Sequence, residues 1–150
     1  PGILYSDIGA DGAYSDLLYV PYGTSRKPLS EKDNDYFLHM KGNEVFKVAV
    51  KKLESIAVDA IKRNNLTVEK IDWFIPHQAN IRIIQAVAKR LKMPMDKVIV
   101  TLDKHGNTSA ASIPLALDTA ISDGRIKKGD TILLQSFGAG FTWGTALLNL

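Results

Sequence analysis

The stretch "IDWFIPHQANIRIIQAVAKRL", residues 71–91, decides the fold. It opens with a short apolar run, Ile71 to Ile75, of strand length and strand composition. Pro76 closes that run, because a proline cannot donate to a sheet ladder. From Asn80 to Leu91 the period changes. Ile81, Ile84, Ala88 and Leu91 recur at three- and four-residue spacing, which predicts a helix that buries that side and stops before Pro94. A strand that runs directly into a helix is the repeating unit of α/β sheets. Ligands of such sheets bind beyond the carboxyl ends of the strands. His77 stands at that junction.

The same alternation extends both ways. Upstream, Phe46, Ala49, Val50, Leu53, Ile56, Ala57, Ala60 and Ile61 predict a helix that starts at an Asn43 N-cap and ends near Asn64-Asn65. Before it, "ILYSDIGADG" reads as a strand and turn, "DLLYVP" as a second short strand, and residues 22–36 as a polar loop. Downstream, "KVIVTL" reads as a buried strand, "DKHGN" as a loop, and "TSAASIPLALDTAISDG" as a helix that opens on small residues and closes at Gly124. "DTILLQSF" and "FTWGTALLNL" are two strands joined by the tight "GAG" turn. The predicted order is βαβαβαββ with one extra early strand and a loop insertion at about residues 13–41. This is an α/β domain over residues 1–150, with a mixed, mostly parallel sheet covered by helices.

Composition narrows the function classes. Apolar residues make up 45% of the 150, and no run reaches the roughly 20 residues of a membrane span. The chain has no cysteine, hence no disulfide or thiolate metal site, and a reducing cytoplasm is the expected compartment. The net charge of +3 is spread along the chain rather than gathered with stacking aromatics, which argues against nucleic acid. No His-x-x-x-His pair exists, so no metal is expected. No Gly-x-Ser-x-Gly elbow exists either, and "GAGFTWG" precedes a strand instead of opening a helix, which excludes a dinucleotide loop.

Three loops leave the predicted strand ends: "PHQAN", "DKHGNTS" and "GAG". They carry His77, Asn107 and a run of backbone N–H groups. All are donor types and none is an obvious nucleophile. Each alone also fits an ordinary structural part: a half-buried histidine, an asparagine in a turn or helix cap, a hairpin turn.

The combination is more specific. "PHQANIRI", then "HGNTSAAS" with Asn107 thirty residues after His77, then "SFGAGFTWG", with "GNEVFKVAV" earlier, resemble β-ketoacyl-acyl-carrier-protein synthase III along essentially the whole chain. These are thiolase-fold condensing enzymes. The family is about twice as long, built from two similar halves, and its nucleophilic cysteine lies in the half that this sequence does not resemble. The resemblance therefore implies the C-terminal half of an acyltransferase that starts fatty acid synthesis, inactive without the cysteine-bearing half and inclined to self-associate through the face that half covers.

By the same resemblance, His77 and Asn107 are the catalytic donor pair, and Gly138, Ala139 and Gly140 form the oxyanion loop. Gln78, Ala79, Asn80, Ile81 and Arg82, with Lys47, Lys89 and Arg90, would dock the acidic acyl carrier protein. Met40, Gly42, Asn43, Phe46 and Phe137 would line the substrate tunnel. The implied partners are acyl carrier protein, acyl-CoA as substrate, the N-terminal half, and a second copy in a homodimer; no cofactor or metal is implied. Two other readings stay open: a related polyketide or quinolone-type condensing enzyme, and a non-catalytic carrier-binding module.

Overall fold

The computed structural model describes residues 1–22, 27–28 and 35–150. Strand β1 (Gly2–Ala10) and the two-residue strands β2 (Leu18–Tyr19) and β3 (His39–Met40) lead into helix α1 (Gly42–Arg63). Then come β4 (Trp73–Pro76), α2 (Ile81–Arg90), the single helical turn α3 (Leu102–His105), α4 (Ser112–Ser122), and the hairpin of β5 (Thr131–Gly138) and β6 (Thr142–Asn149). The polar loop predicted at 22–36 lies partly outside the described residues. His39, expected in a loop, pairs with Tyr19 in a small ribbon of β2 and β3.

The main sheet has the order β1-β6-β5-β4. Successive residues of its strands face opposite layers, as the two-residue strand period demands. Phe74, Leu133 and Leu147 pack with α1 and α2. Ile75 and Ile132 pack with Ala116 and Ala120 of α4 on the other face. Helices therefore cover the sheet on both sides, which explains why β4 and β5 read as nearly continuous apolar runs.

Two expectations about the sheet are corrected. First, its pairing is not mostly parallel: β4 pairs β5 in parallel, whereas β5–β6 and β1–β6 are antiparallel. The tight turn inserts β6 between β1 and β5. Those two still run in the same direction, but they do not touch as neighbours. Second, "KVIVTL" forms no strand. It makes one parallel bridge, Val98 to Phe74, and the Ile99 N–H donates to the Phe74 carbonyl at 2.9 Å. In a continued parallel ladder the next donor, to the Ile99 carbonyl, would be the N–H of residue 76. Residue 76 is proline, so the ladder stops there.

The helices follow the sequence closely, with differences at their ends. α1 starts one residue before Asn43, with Lys41 at the N-cap position and no side-chain cap bond. It ends at Asn64 as expected, and Asn65 takes a positive φ of 53°. On α2 the Asn80 Oδ1 accepts from the Ile83 N–H at 3.0 Å, the usual N-cap bond. The buried side of α2 is Ile83, Ile84, Val87 and Ala88, whereas Ile81 is exposed. "DKH" is the helical turn α3 rather than a loop. The small-residue segment begins as a 3-10 turn, Ser109–Ala111, before α4. Pro114 is the third residue of α4, where the missing N–H is tolerated.

Candidate active site

The carboxyl ends of β4 and β5 carry the site. Leaving β4, the His77 N–H donates to the Gln135 carbonyl of β5 at 2.7 Å, so the backbone of His77 still belongs to the sheet. Its Nδ1 lies 2.7 Å from the Ser112 hydroxyl of α4. The ring meets Phe137 edge-on, with centroids 6.3 Å apart. The imidazole is half-buried, and that burial holds its pKa below the ordinary histidine value by disfavouring the charged ring. His77 is therefore neutral at physiological pH.

Gln78 points the other way, and this corrects its expected docking role. It is completely buried. Its Nε2 donates to the Pro76 and Ile99 carbonyls at 2.8 and 3.2 Å, and its Oε1 accepts from the Thr101 N–H at 2.9 Å. The side-chain amide thus supplies the donor to Ile99 that Pro76 lacks. It also fixes Thr101, the N-cap residue of α3. The turn of α3 then delivers Gly106, at φ +64°, and Asn107. Asn107 Oδ1 accepts from the Ser109 N–H at 3.0 Å. That bond turns the oxygen toward the chain and leaves the amide nitrogen as the end available to a ligand.

Two adjoining cavities share this wall. One, of about 780 Å³, is lined by His77, Asn107, Ser109, Phe137, Gly138 and Trp143 among others. The second, of about 750 Å³, again includes His77, Asn107, Phe137 and Gly138, and runs past Met40, Gly42, Asn43 and Phe46 to Ala79, Asn80, Ile81 and Arg82. All five residues expected in a tunnel line this second cavity. Arg82 lies over the Phe46 ring at 5.8 Å, which places a cation beside its apolar lining. Ile81 is exposed because it faces this space rather than the core. The turn of Gly138, Ala139 and Gly140 closes the β5–β6 hairpin. Asp11 and Phe141 exchange backbone hydrogen bonds of 2.8 and 2.9 Å and so tie it to the end of β1. At Gly140 a Cβ would come within 3.2 Å of the Thr142 backbone nitrogen, and φ is +143°, so glycine is required there.

The remaining basic residues are less concentrated. Lys47, Lys89 and Arg90 are exposed, but none lines either cavity. Lys89 and Arg90 stand about 10 Å further along α2 than Arg82, at 1.5 Å per residue. Arg90 pairs with Glu54 of α1, so its charge is partly answered within the chain. Sequence reasoning missed Trp143, which lines the first cavity, and Ser112, which is buried behind His77 at its Nδ1. Both lie within stretches that the sequence assigns to elements, but only the fold turns Ser112 toward His77 and Trp143 toward the cavity.

Residues 61–150 match the family model described as 3-Oxoacyl-[acyl-carrier-protein (ACP)] synthase III C terminal. The chain belongs to this family. It is 57% identical over 149 residues to the Beta-ketoacyl-[acyl-carrier-protein] synthase III of Alkalilimnicola ehrlichii, and 58% identical over 149 residues to that of Baumannia cicadellinicola. Each alignment covers 99% of this chain and 46% of the relative. Among solved structures, the 3-oxoacyl-[acyl-carrier-protein] synthase III of Aquifex aeolicus superposes with a TM-score of 0.88 at 42% identity, covering 99% of this chain and 44% of that one. The Thermus thermophilus enzyme gives 0.87 at 44%, covering 99% and 46%. The chain thus spans about half the length of the synthase III proteins it matches, and has their thiolase-like fold. Among the described residues, no helix is long and apolar enough to cross a membrane.

Proposed function

We propose that this chain is the donor-bearing, C-terminal part of a β-ketoacyl-acyl-carrier-protein synthase III that works in the cytoplasm without metal or cofactor. An acyl group from acyl-CoA is first held as a thioester on the cysteine of the N-terminal half. Malonyl-acyl-carrier protein then loses carbon dioxide. The electron pair of the broken C–C bond passes into the thioester as an enolate, whose carbon attacks the acyl-cysteine and expels the thiolate. His77 and Asn107 donate N–H to the enolate oxygen. That interaction strengthens as charge develops there, so it lowers the barrier instead of merely tightening binding. Neutral donors suit the task, because neither must lose a proton. The backbone of Gly138, Ala139 and Gly140 serves the acyl-transfer carbonyl in the same way.

The observation that carries this reading is the shared wall. A neutral imidazole and an amide with its oxygen already occupied come from two different loops and line both cavities. In the full-length protein, His77→Ala or Asn107→Ala should each lower malonyl-carrier-protein decarboxylation by about 10²–10³-fold. Turnover within twofold of the parent for both variants sinks the assignment.

The second cavity, from Phe137 to Met40, is the tunnel for the carrier's prosthetic arm, with Arg82 at the opening. Lys47 and Lys89 add a weaker, steering attraction. Arg82→Glu should raise KM for malonyl-carrier protein at low salt and flatten its salt dependence. An unchanged salt profile removes Arg82 from the docking surface.

A further inference from the structure

We propose that Ser112 is a positioning residue that fixes His77 as an Nε2–H donor. A serine hydroxyl has one proton and two lone pairs. Ser112 is 1% exposed, so water does not serve it. The Gln78 backbone N–H lies 3.2 Å from its oxygen and can only donate, so it occupies one lone pair. Among the described residues its other hydrogen-bond partner is His77 Nδ1, at 2.7 Å. The carbonyl four residues back on the chain, Thr108, is the common acceptor for a helical serine. Among the described residues Ser112 makes no such bond, whereas Thr119 of the same helix does, to the Leu115 carbonyl at 2.7 Å.

The hydroxyl proton therefore goes to Nδ1. The reverse arrangement, Nδ1–H donating to Ser112, leaves that proton buried with no partner, which is the costlier choice. A neutral imidazole carries one N–H, and burial keeps this ring neutral. With Nδ1 accepting, the N–H is on Nε2, on the side of the ring away from Ser112. The Gln78 N–H thus orients the serine, and the serine selects the tautomer. The tautomer rests on this geometry alone; that the resulting donor serves an enolate rests on the proposed function.

The test is an imidazole tautomer measurement by 15N–1H correlation NMR on full-length protein labelled with 15N-histidine, using His77→Gln to assign the signal. The expected result is a protonated Nε2 and an unprotonated Nδ1 at neutral pH. Ser112→Ala should move both nitrogens toward the averaged shifts of a tautomer mixture. Ser112→Thr, which retains the hydroxyl, should keep the parent pattern. A protonated Nδ1 in the parent protein overturns the proposal, whether or not the variants fold. So does a Ser112→Ala spectrum identical to the parent. If the tautomer is as expected but His77→Ala leaves decarboxylation intact, the proposed function fails and the role of Ser112 in setting the tautomer stands.

Discussion

His77 and Asn107 line the same wall, yet one is half-buried at the edge of the sheet and the other stands on an exposed turn. His77 is held by a sheet hydrogen bond to Gln135, a buried serine at Nδ1 and an aromatic edge contact. Asn107 is held by one short-range bond to Ser109 and by the positive φ of Gly106. What joins them is Gln78, whose amide reaches from the His77 loop to the N-cap residue of α3. The position of His77 follows from the fold, whereas that of Asn107 depends on one buried link and one unusual backbone angle.

That contrast can be broken in three ways. The largest effect should come from Gln78→Leu. It leaves the Ile99 carbonyl and the Thr101 N–H buried without partners, at about 1–3 kcal/mol each. Urea unfolding should show a loss of about 3 kcal/mol or more, and decarboxylation should fall with it. A loss below about 1 kcal/mol would mean the two loops are not joined through this amide. Next is Gly106→Ala. A Cβ there meets open space, so the cost is conformational, about 1–3 kcal/mol for a φ of +64° and ψ of −158°. Turnover should fall more than stability, because Asn107 is the neighbouring residue. Stability lost with turnover unchanged would show that the turn does not place the donor.

The smallest effect is a slope. The folded-state pKa of His77 is depressed by burial, so the unfolded chain takes up its proton first as pH falls. The stability that His77 contributes is therefore complete above about pH 6.5, the ordinary histidine value, and is lost as pH falls below it. His77→Gln should flatten the stability curve over that acid limb. Parallel curves for the two proteins would place the titration elsewhere.

Much of this was legible in the chain. The β4–α2 junction, the long amphipathic α1, the final hairpin and the donor types at the strand ends all follow from periodicity and from Pro76, Asn80 and Gly140. The errors share a cause. Ile81 and Ile83 both fit an apolar stripe at the first turn of α2 and both border the second cavity, and spacing cannot say which one is buried in the core. The resemblance alone places Gln78 on the docking surface, and nothing in its local sequence marks it as buried. Its burial depends on partners at 76, 99 and 101, which lie far apart in the sequence. "KVIVTL" has strand composition, but its ladder ends on a proline some twenty residues earlier. Ser112 was visible only as one small residue among several.

The absent N–H of Pro76 has a further consequence, for mutational robustness. Two loops joined by a continuous ladder would share many redundant bonds, and no one substitution would separate them. Here the ladder stops a step short and a single amide side chain completes the span. The relative placement of His77 and Asn107 is therefore exposed to one amino-acid change at a fully buried position that lines neither cavity.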